Sequence, residues 1–208
     1  GGWGGTEGRS GGWGGEWAGE SRGPGRRGSS SGWSWSMKKE KIKSACSVKK
    51  IAKRVDDLAT EIRTDAGKAD IFLLGVLKGT SCFLADLIRA IPGNVSYGFI
   101  EVVRDIADAE TATALEIDYF RYTDIGGKNV YLLKDVVSTG VIETYLISQL
   151  KQDNPATLKL VALLDRPGSR TIDLKVDFRA FEIKDGSFVG YGLEIQGRHG
   201  NLTHIGRS

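Results

Sequence analysis

The residues best suited to chemistry lie in residues 130–146, reading VYLLKDVVSTGVIETYL. Val130, Tyr131, Leu132 and Leu133 form an apolar run of strand formers, as in a strand buried inside a parallel sheet. Lys134 and Asp135 follow, two charges where that strand is expected to end. Ser138, Thr139 and Gly140 then make a small-residue turn, and residues 141–150 continue with helical spacing of apolar side chains. Strand, small turn and helix together suit a phosphate. Glycine lets the backbone come close to the anion, hydroxyls donate, and the first N–H groups of the helix point at it. An acid at the strand end can accept from a sugar hydroxyl. The stretch reads as a seat for a phosphorylated sugar, although any α/β domain has strand-to-helix turns.

Other elements must bring further groups to this loop. Apolar residues at Val48, Ile51, Ala52, Val55, Leu58, Ala59 and Ile62 predict a helix over residues 48–64 with one apolar face. Residues 71–76 predict a buried strand, and Leu77, Lys78, Gly79 and Thr80 a turn into a helix over residues 81–90. Lys78 and that helix start could hold a second anion. Further strands are expected at residues 95–103, 117–122, 158–164 and 178–183, with Asp165, Arg166 and Pro167 ending the third of these. The polar segment 104–115 has no firm periodicity. Residues 37–50 read as a basic, frayed approach and residues 201–205 as a short mixed tail. Strands alternating with helices predict a parallel sheet, whose ligands gather at the C-terminal strand ends. Lys78, Asp135, Thr139, Arg166 and Glu194 all fall at or near such ends.

Composition narrows the classes. At 208 residues the chain can form one domain with a substantial core. A net charge of +3, with basic and acidic residues interleaved, argues against nucleic acid as partner. No apolar run reaches the length of a membrane span, and no secretory leader opens the sequence. Cys46 and Cys82 read as reduced thiols, Cys46 at the surface and Cys82 packed, in a cytoplasmic protein. Residues 1–36 differ from the rest. They hold 14 of the 29 glycines and all five tryptophans, with GGWGG twice, and such composition predicts disorder. A tail that binds a partner or RNA through its Trp and Arg side chains is the other reading. Met37, the only methionine, directly precedes the domain expected over residues 37–208 and is a candidate natural start.

Four segments carry a more specific likeness: GVLKGTSCFLADLIRAI at residues 75–91, LKDVVSTG at 133–140, LKLVALLDRP at 158–167, and FVGYGLE with NLTHIG at 188–194 and 201–206. Together they resemble the bacterial hypoxanthine-guanine phosphoribosyltransferases, among the type I phosphoribosyltransferases. The resemblance implies an α/β fold with a mainly parallel twisted sheet flanked by helices and a small hood. It implies transfer of phosphoribose from phosphoribosyl pyrophosphate to N9 of hypoxanthine or guanine, giving IMP or GMP in purine salvage. It also implies Mg²⁺ and a homodimer or homotetramer. Leu77, Lys78 and Gly79 would form the pyrophosphate loop. Asp135 would meet the ribose hydroxyls beside Lys134, and Val136, Val137, Ser138, Thr139, Gly140 and Val141 would wrap the 5′-phosphate. Lys78, Asp135 and Ser138 would stand in the catalytic positions. Arg166, Phe188 and Val189 would form the purine site, Glu194 and Asp135 would serve the metal, and residues 104–115 would be a closing loop.

The chain departs from that pattern at several points. Lys134 stands in place of the first of two acids. Ser138 stands in place of the Asp often described as the general base, and a hydroxyl cannot act as an ionised base. Ser187 takes the place of a stacking aromatic beside Phe188, and Gly200 that of an Arg, with Arg198 and His199 nearby. The Ser-Tyr pair of the closing loop is not evident between residues 101 and 115. Two readings follow: an active purine salvage transferase with altered site chemistry, or a regulator that binds phosphoribosyl pyrophosphate or a nucleotide without turnover.

Overall fold

A computed structural model describes residues 42–103, 116–118 and 124–208. The head, residues 1–36, and the expected closing loop, residues 104–115, lie outside the described residues. In chain order the elements are β1 (Lys43–Cys46), α1 (Val48–Ala66), β2 (Ile71–Leu77), α2 (Ser81–Ala90), β3 (Val95–Val103), β4 (Glu116–Asp118), β5 (Asn129–Val137), α3 (Val141–Leu150), β6 (Thr157–Asp165), β7 (Phe178–Glu182), β8 (Phe188–Val189) and β9 (Ile205–Arg207).

Helix α1 forms for the reason its spacing predicts. Ile51, Val55, Leu58, Ala59 and Ile62 recur every three or four residues and are all buried. The Ser47 hydroxyl caps its start by accepting from Lys50 N at 3.3 Å, and Gly67 at φ +61° closes it.

The main sheet runs in the order β4-β3-β2-β5-β6-β7. All neighbours are parallel except β4, which pairs antiparallel with β3. Both faces of the sheet are covered, so its central strands are apolar throughout rather than alternating. Ile71, Leu73, Tyr131 and Leu133 join α1 and α2 on one side. Phe72, Leu74, Val130 and Leu132 join Leu146 and Leu150 of α3 on the other.

This arrangement sets where a ligand can bind. From β2 the chain crosses through α2 to β3, and from β5 it crosses through α3 to β6, in opposite directions and over opposite faces. Adjacent β2 and β5 are therefore the switch point of the sheet, outside whose carboxyl ends a crevice opens. Their pairing runs from Ile71↔Asn129 to Gly75↔Leu133 and then stops. Beyond it β2 stays paired with β3 as far as Leu77↔Glu101, while β5 stays paired with β6 as far as Val137↔Asp165. The two strands part where the charged and glycine-bearing residues begin.

Three expectations need correction. Strand β5 does not end at Lys134 and Asp135 but carries both to Val137, because β6 continues to supply hydrogen-bond partners. The approach read as frayed holds β1, and the mixed tail leads into β9. With β8 these form a separate antiparallel sheet in the order β1-β9-β8. It is the small hood, built from segments too short to show a period. The thiols also exchange roles: Cys46 is buried in the core and Cys82 is exposed. The strand expected at residues 117–122 is described only as β4, since residues 119–123 lie outside the described residues.

The segment after β8 is pinned to α2 by Tyr191, whose hydroxyl donates to Asp86 Oδ2 at 2.6 Å. Burial, and then the Asp86 carboxylate, push this hydroxyl far above its ordinary range, so it remains a donor. Tyr191→Phe is expected to cost about 1 kcal/mol, since the bond is only partly buried. A lowered urea midpoint with unchanged slope would show it.

Candidate active site

Gly79 is the hub of the crevice. A methyl group built at its α-carbon would lie 2.2 Å from Asp135 Oδ2. On the other side, a methyl built at Gly192 would lie 2.8 Å from the Gly79 carbonyl oxygen. The turn after β2 is thus clasped between the acid of β5 and the glycine string that follows β8. Its first peptide, Leu77–Lys78, is cis. Below it Thr80, fully buried, donates to Val76 O at 2.7 Å, and Ser81 Oγ donates to Lys78 O at 2.6 Å. Lys78 is exposed and pairs with Glu194 at 3.1 Å. The lysine expected in the pyrophosphate loop and the carboxylate expected to serve the metal therefore meet.

On the facing strand, Asp135 Oδ1 accepts from its neighbour's N–H, Val136 N, at 2.8 Å and from the Lys134 ammonium. Both side chains are only partly exposed, at 15% for Lys134 and 26% for Asp135. Alternation along β5 is interrupted here. Leu133 and Val136 both pack in the cluster with α1, which an unbroken strand would not allow for residues three apart.

The loop that follows is held so that its donors face outward. Arg170 Nη1 donates to Ser138 O, and Thr171 N donates to Thr139 O at 3.0 Å. With those carbonyls tied back, the N–H groups of Ser138, Thr139 and Gly140 have no acceptor among the described residues. Gly140 adopts φ +89°, in the left-handed region, as the N-cap of α3. Three consecutive free N–H groups at a helix start form an anion nest. Arg170 is fixed in turn by buried Asp165, which also holds Arg179 at 3.1 Å. Arg170 is a residue that sequence reasoning missed, because its role depends on a contact across the loop. Arg170→Ala is expected to raise KM for a phosphorylated sugar donor about tenfold while sparing most of kcat, by loosening the nest rather than removing a ligand.

Arg166 lies between the phosphate loop and the hood. Its N–H donates to Val137 O at 2.9 Å and its Nη2 to Gly186 O at 2.6 Å. Its Nε is buried without an acceptor among the described residues. Phe188 is half-buried against the core. The Val189 side chain is fully buried, so this residue can meet a ligand only through its main chain. Ser138 is part-exposed in the loop and has no carboxylate to offer.

Among the described residues no group of three or more His, Cys, Asp or Glu converges as a metal cage. Asp135 and Glu194 are separate carboxylates, each already beside a lysine. That fits a cation carried mainly by a ligand's own phosphate oxygens, with one or two protein carboxylates completing it.

An anion nest, a glycine turn with a lysine and an acid between them, at the switch point of a parallel sheet, define a protein that holds a phosphorylated sugar with a second anionic group. Known proteins agree. The family model for the phosphoribosyl transferase domain matches residues 41–196. The hypoxanthine-guanine phosphoribosyltransferase of Bacillus subtilis is 31% identical over 174 residues, covering 82% of this chain and 94% of that one. The Aquifex aeolicus protein of the same name is 33% identical over 168 residues, covering 80% and 94%. The crystal structure of a Bacillus anthracis hypoxanthine-guanine phosphoribosyltransferase, with HEPES in its active site, superposes with a TM-score of 0.75 at 32% identity and covers 80% of this chain and 99% of that one. The fold and loops are those of a phosphoribosyltransferase. The chain belongs to the hypoxanthine-guanine phosphoribosyltransferase family.

Proposed function

We propose that the protein transfers the phosphoribosyl group of phosphoribosyl pyrophosphate to N9 of hypoxanthine or guanine, forming IMP or GMP and pyrophosphate. The observation that carries this reading is the parting of β2 and β5, which leaves the free N–H groups of 138–140 on one side and the 77–79 turn on the other. The nest takes the donor's 5′-phosphate. Asp135 takes the ribose hydroxyls. Main-chain donors of the 77–79 turn and the Lys78 ammonium take the pyrophosphate.

As the bond from the anomeric carbon to pyrophosphate lengthens, negative charge grows on the leaving oxygens and positive charge on the ring. Lys78 and the turn oppose the first, and the nearby Asp135 carboxylate stabilises the second. N9 of the base then closes on the anomeric carbon. Arg166 would donate to the purine 6-oxygen. Phe188 and the Val189 main chain line the base site. The base must lose a proton, and Ser138 cannot take it as an ionised base, so that proton passes to solvent or to another group. Magnesium, held by donor oxygens together with Asp135 and Glu194, would neutralise pyrophosphate charge. The transferase unit is read as residues 37–208, with residues 1–36 outside it, and assembly as a homodimer or homotetramer belongs to the same reading.

The test combines protein, phosphoribosyl pyrophosphate, Mg²⁺ and each of hypoxanthine, guanine, xanthine and adenine, and follows nucleotide formation. Product with hypoxanthine or guanine is expected. Lys78→Ala and Asp135→Ala should each lower kcat/KM by about a hundredfold or more. Tight donor binding without product from any base would instead make the protein a sensor of the donor.

A further inference from the structure

Glu143 has no part in the reaction read above, yet its side chain is only 3% exposed. It stands in the first turn of α3, three residues after the Gly140 cap. Two other polar residues are buried as deeply, and both are satisfied: Thr80 donates to Val76 O, and Asp165 holds two arginines. No cation among the described residues comes within ion-pairing distance of Glu143. It lies instead in the fields of Lys134, Arg170 and Asp135. Burial pushes its carboxyl above the usual range, while its own backbone N–H and the two cations oppose that shift.

A carboxylate in the first turn of a helix counters the positive potential that the turn offers to an anion. Lys134, at 15% side-chain exposure and beside the start of the same loop, acts with the opposite sign. Neither charge is well screened, because both are largely buried. We propose that Glu143 and Lys134, opposed charges on the two elements that flank the 137–141 loop, set how tightly it holds a 5′-phosphate, Glu143 loosening the grip and Lys134 strengthening it. This rests on the phosphate-loop reading above. It also gives the pair a purpose. Donor and nucleotide product carry the same 5′-phosphate, so a loop that bound it too well would retain product.

The experiment is calorimetric titration at pH 8 of ribose 5-phosphate and of phosphoribosyl pyrophosphate with Mg²⁺. It compares the wild-type protein with Glu143→Gln, Lys134→Gln and the double variant. Glu143→Gln is expected to tighten both ligands about three- to tenfold, Lys134→Gln to weaken them by a similar factor, and the double variant to return to within about twofold of wild type. The melting temperature of Glu143→Gln should stay level or rise, since a buried charge is gone. Lys134→Gln reports the opposite sign independently, should Glu143→Gln fold poorly. A wild-type protein that binds while Glu143→Gln binds equally or more weakly would overturn the inference alone. A wild-type protein that binds neither ligand would overturn the phosphate-loop reading, and the inference with it.

Discussion

Alanine at Gly79 is expected to abolish measurable nucleotide formation, a loss of about a hundredfold or more in kcat/KM. The added methyl would sit 2.2 Å from Asp135 Oδ2 and 2.9 Å from both Cβ and Cγ of the same residue. Aspartate is too short to yield by bending a distant end. Either its carboxylate shifts within the crevice or the 77–79 turn moves off β5. Both outcomes misplace groups to which the proposed reaction assigns the donor, and a displacement of one ångström is enough to cost two orders of magnitude. Combining Gly79→Ala with Asp135→Ala separates the causes. The double variant should regain thermal stability relative to Gly79→Ala, because the clash is relieved. It should not regain activity, because the acid is gone. Recovery of turnover in the double variant would show that Asp135 is a packing residue only.

Gly190→Ala should produce the largest fall in stability. Gly190 adopts φ +93°, and a methyl there would lie 2.0 Å from the His204 carbonyl oxygen and 3.0 Å from the Leu202 Cβ. The first obstacle is main chain, held where residues 191 and 202 bond to each other, Tyr191 N donating to Leu202 O at 2.7 Å. A non-glycine residue in that backbone region costs on the order of 1–2 kcal/mol by itself, and the clash adds a comparable amount. A total near 3 kcal/mol corresponds to a fall of about 10 °C in a domain of this size. Differential scanning calorimetry would detect it. An unchanged melting temperature would mean that the segment between β8 and β9 can relax independently of the core.

The parts of the molecule legible in the sequence are those fixed by local pattern. The apolar face of α1, the buried run of β2 and the STG turn before α3 each follow from spacing within one element. The hood did not show in any local pattern and was implied by the family resemblance alone. Its strands β8 and β9 have two and three residues, too few for a period, and β1 looks like a basic tail because three of its four side chains are exposed. The reach of β5 past Lys134 and Asp135 was hidden for a different reason. Charges normally mark a strand end, but here β6 keeps the pairing alive while β2 lets go, and that depends on a neighbour. Site residues at strand ends were visible through their chemistry. Arg170 and Glu143 were not, because one acts through a carbonyl across the loop and the other occupies a position that helical spacing would assign to an apolar residue.

The pairing of β1 with β9 has a further consequence. Lys43 lies opposite Arg207 and Ser44 opposite Gly206, a sequence separation of nearly the whole domain. During synthesis the parallel sheet can begin to order while β1 still lacks a partner. Only after β9 leaves the ribosome can the hood assemble, so the hood is the last part of the protein to form. A nascent chain stalled before residue 205 would therefore expose an unpaired strand edge, a surface for chaperones or for its own neighbours.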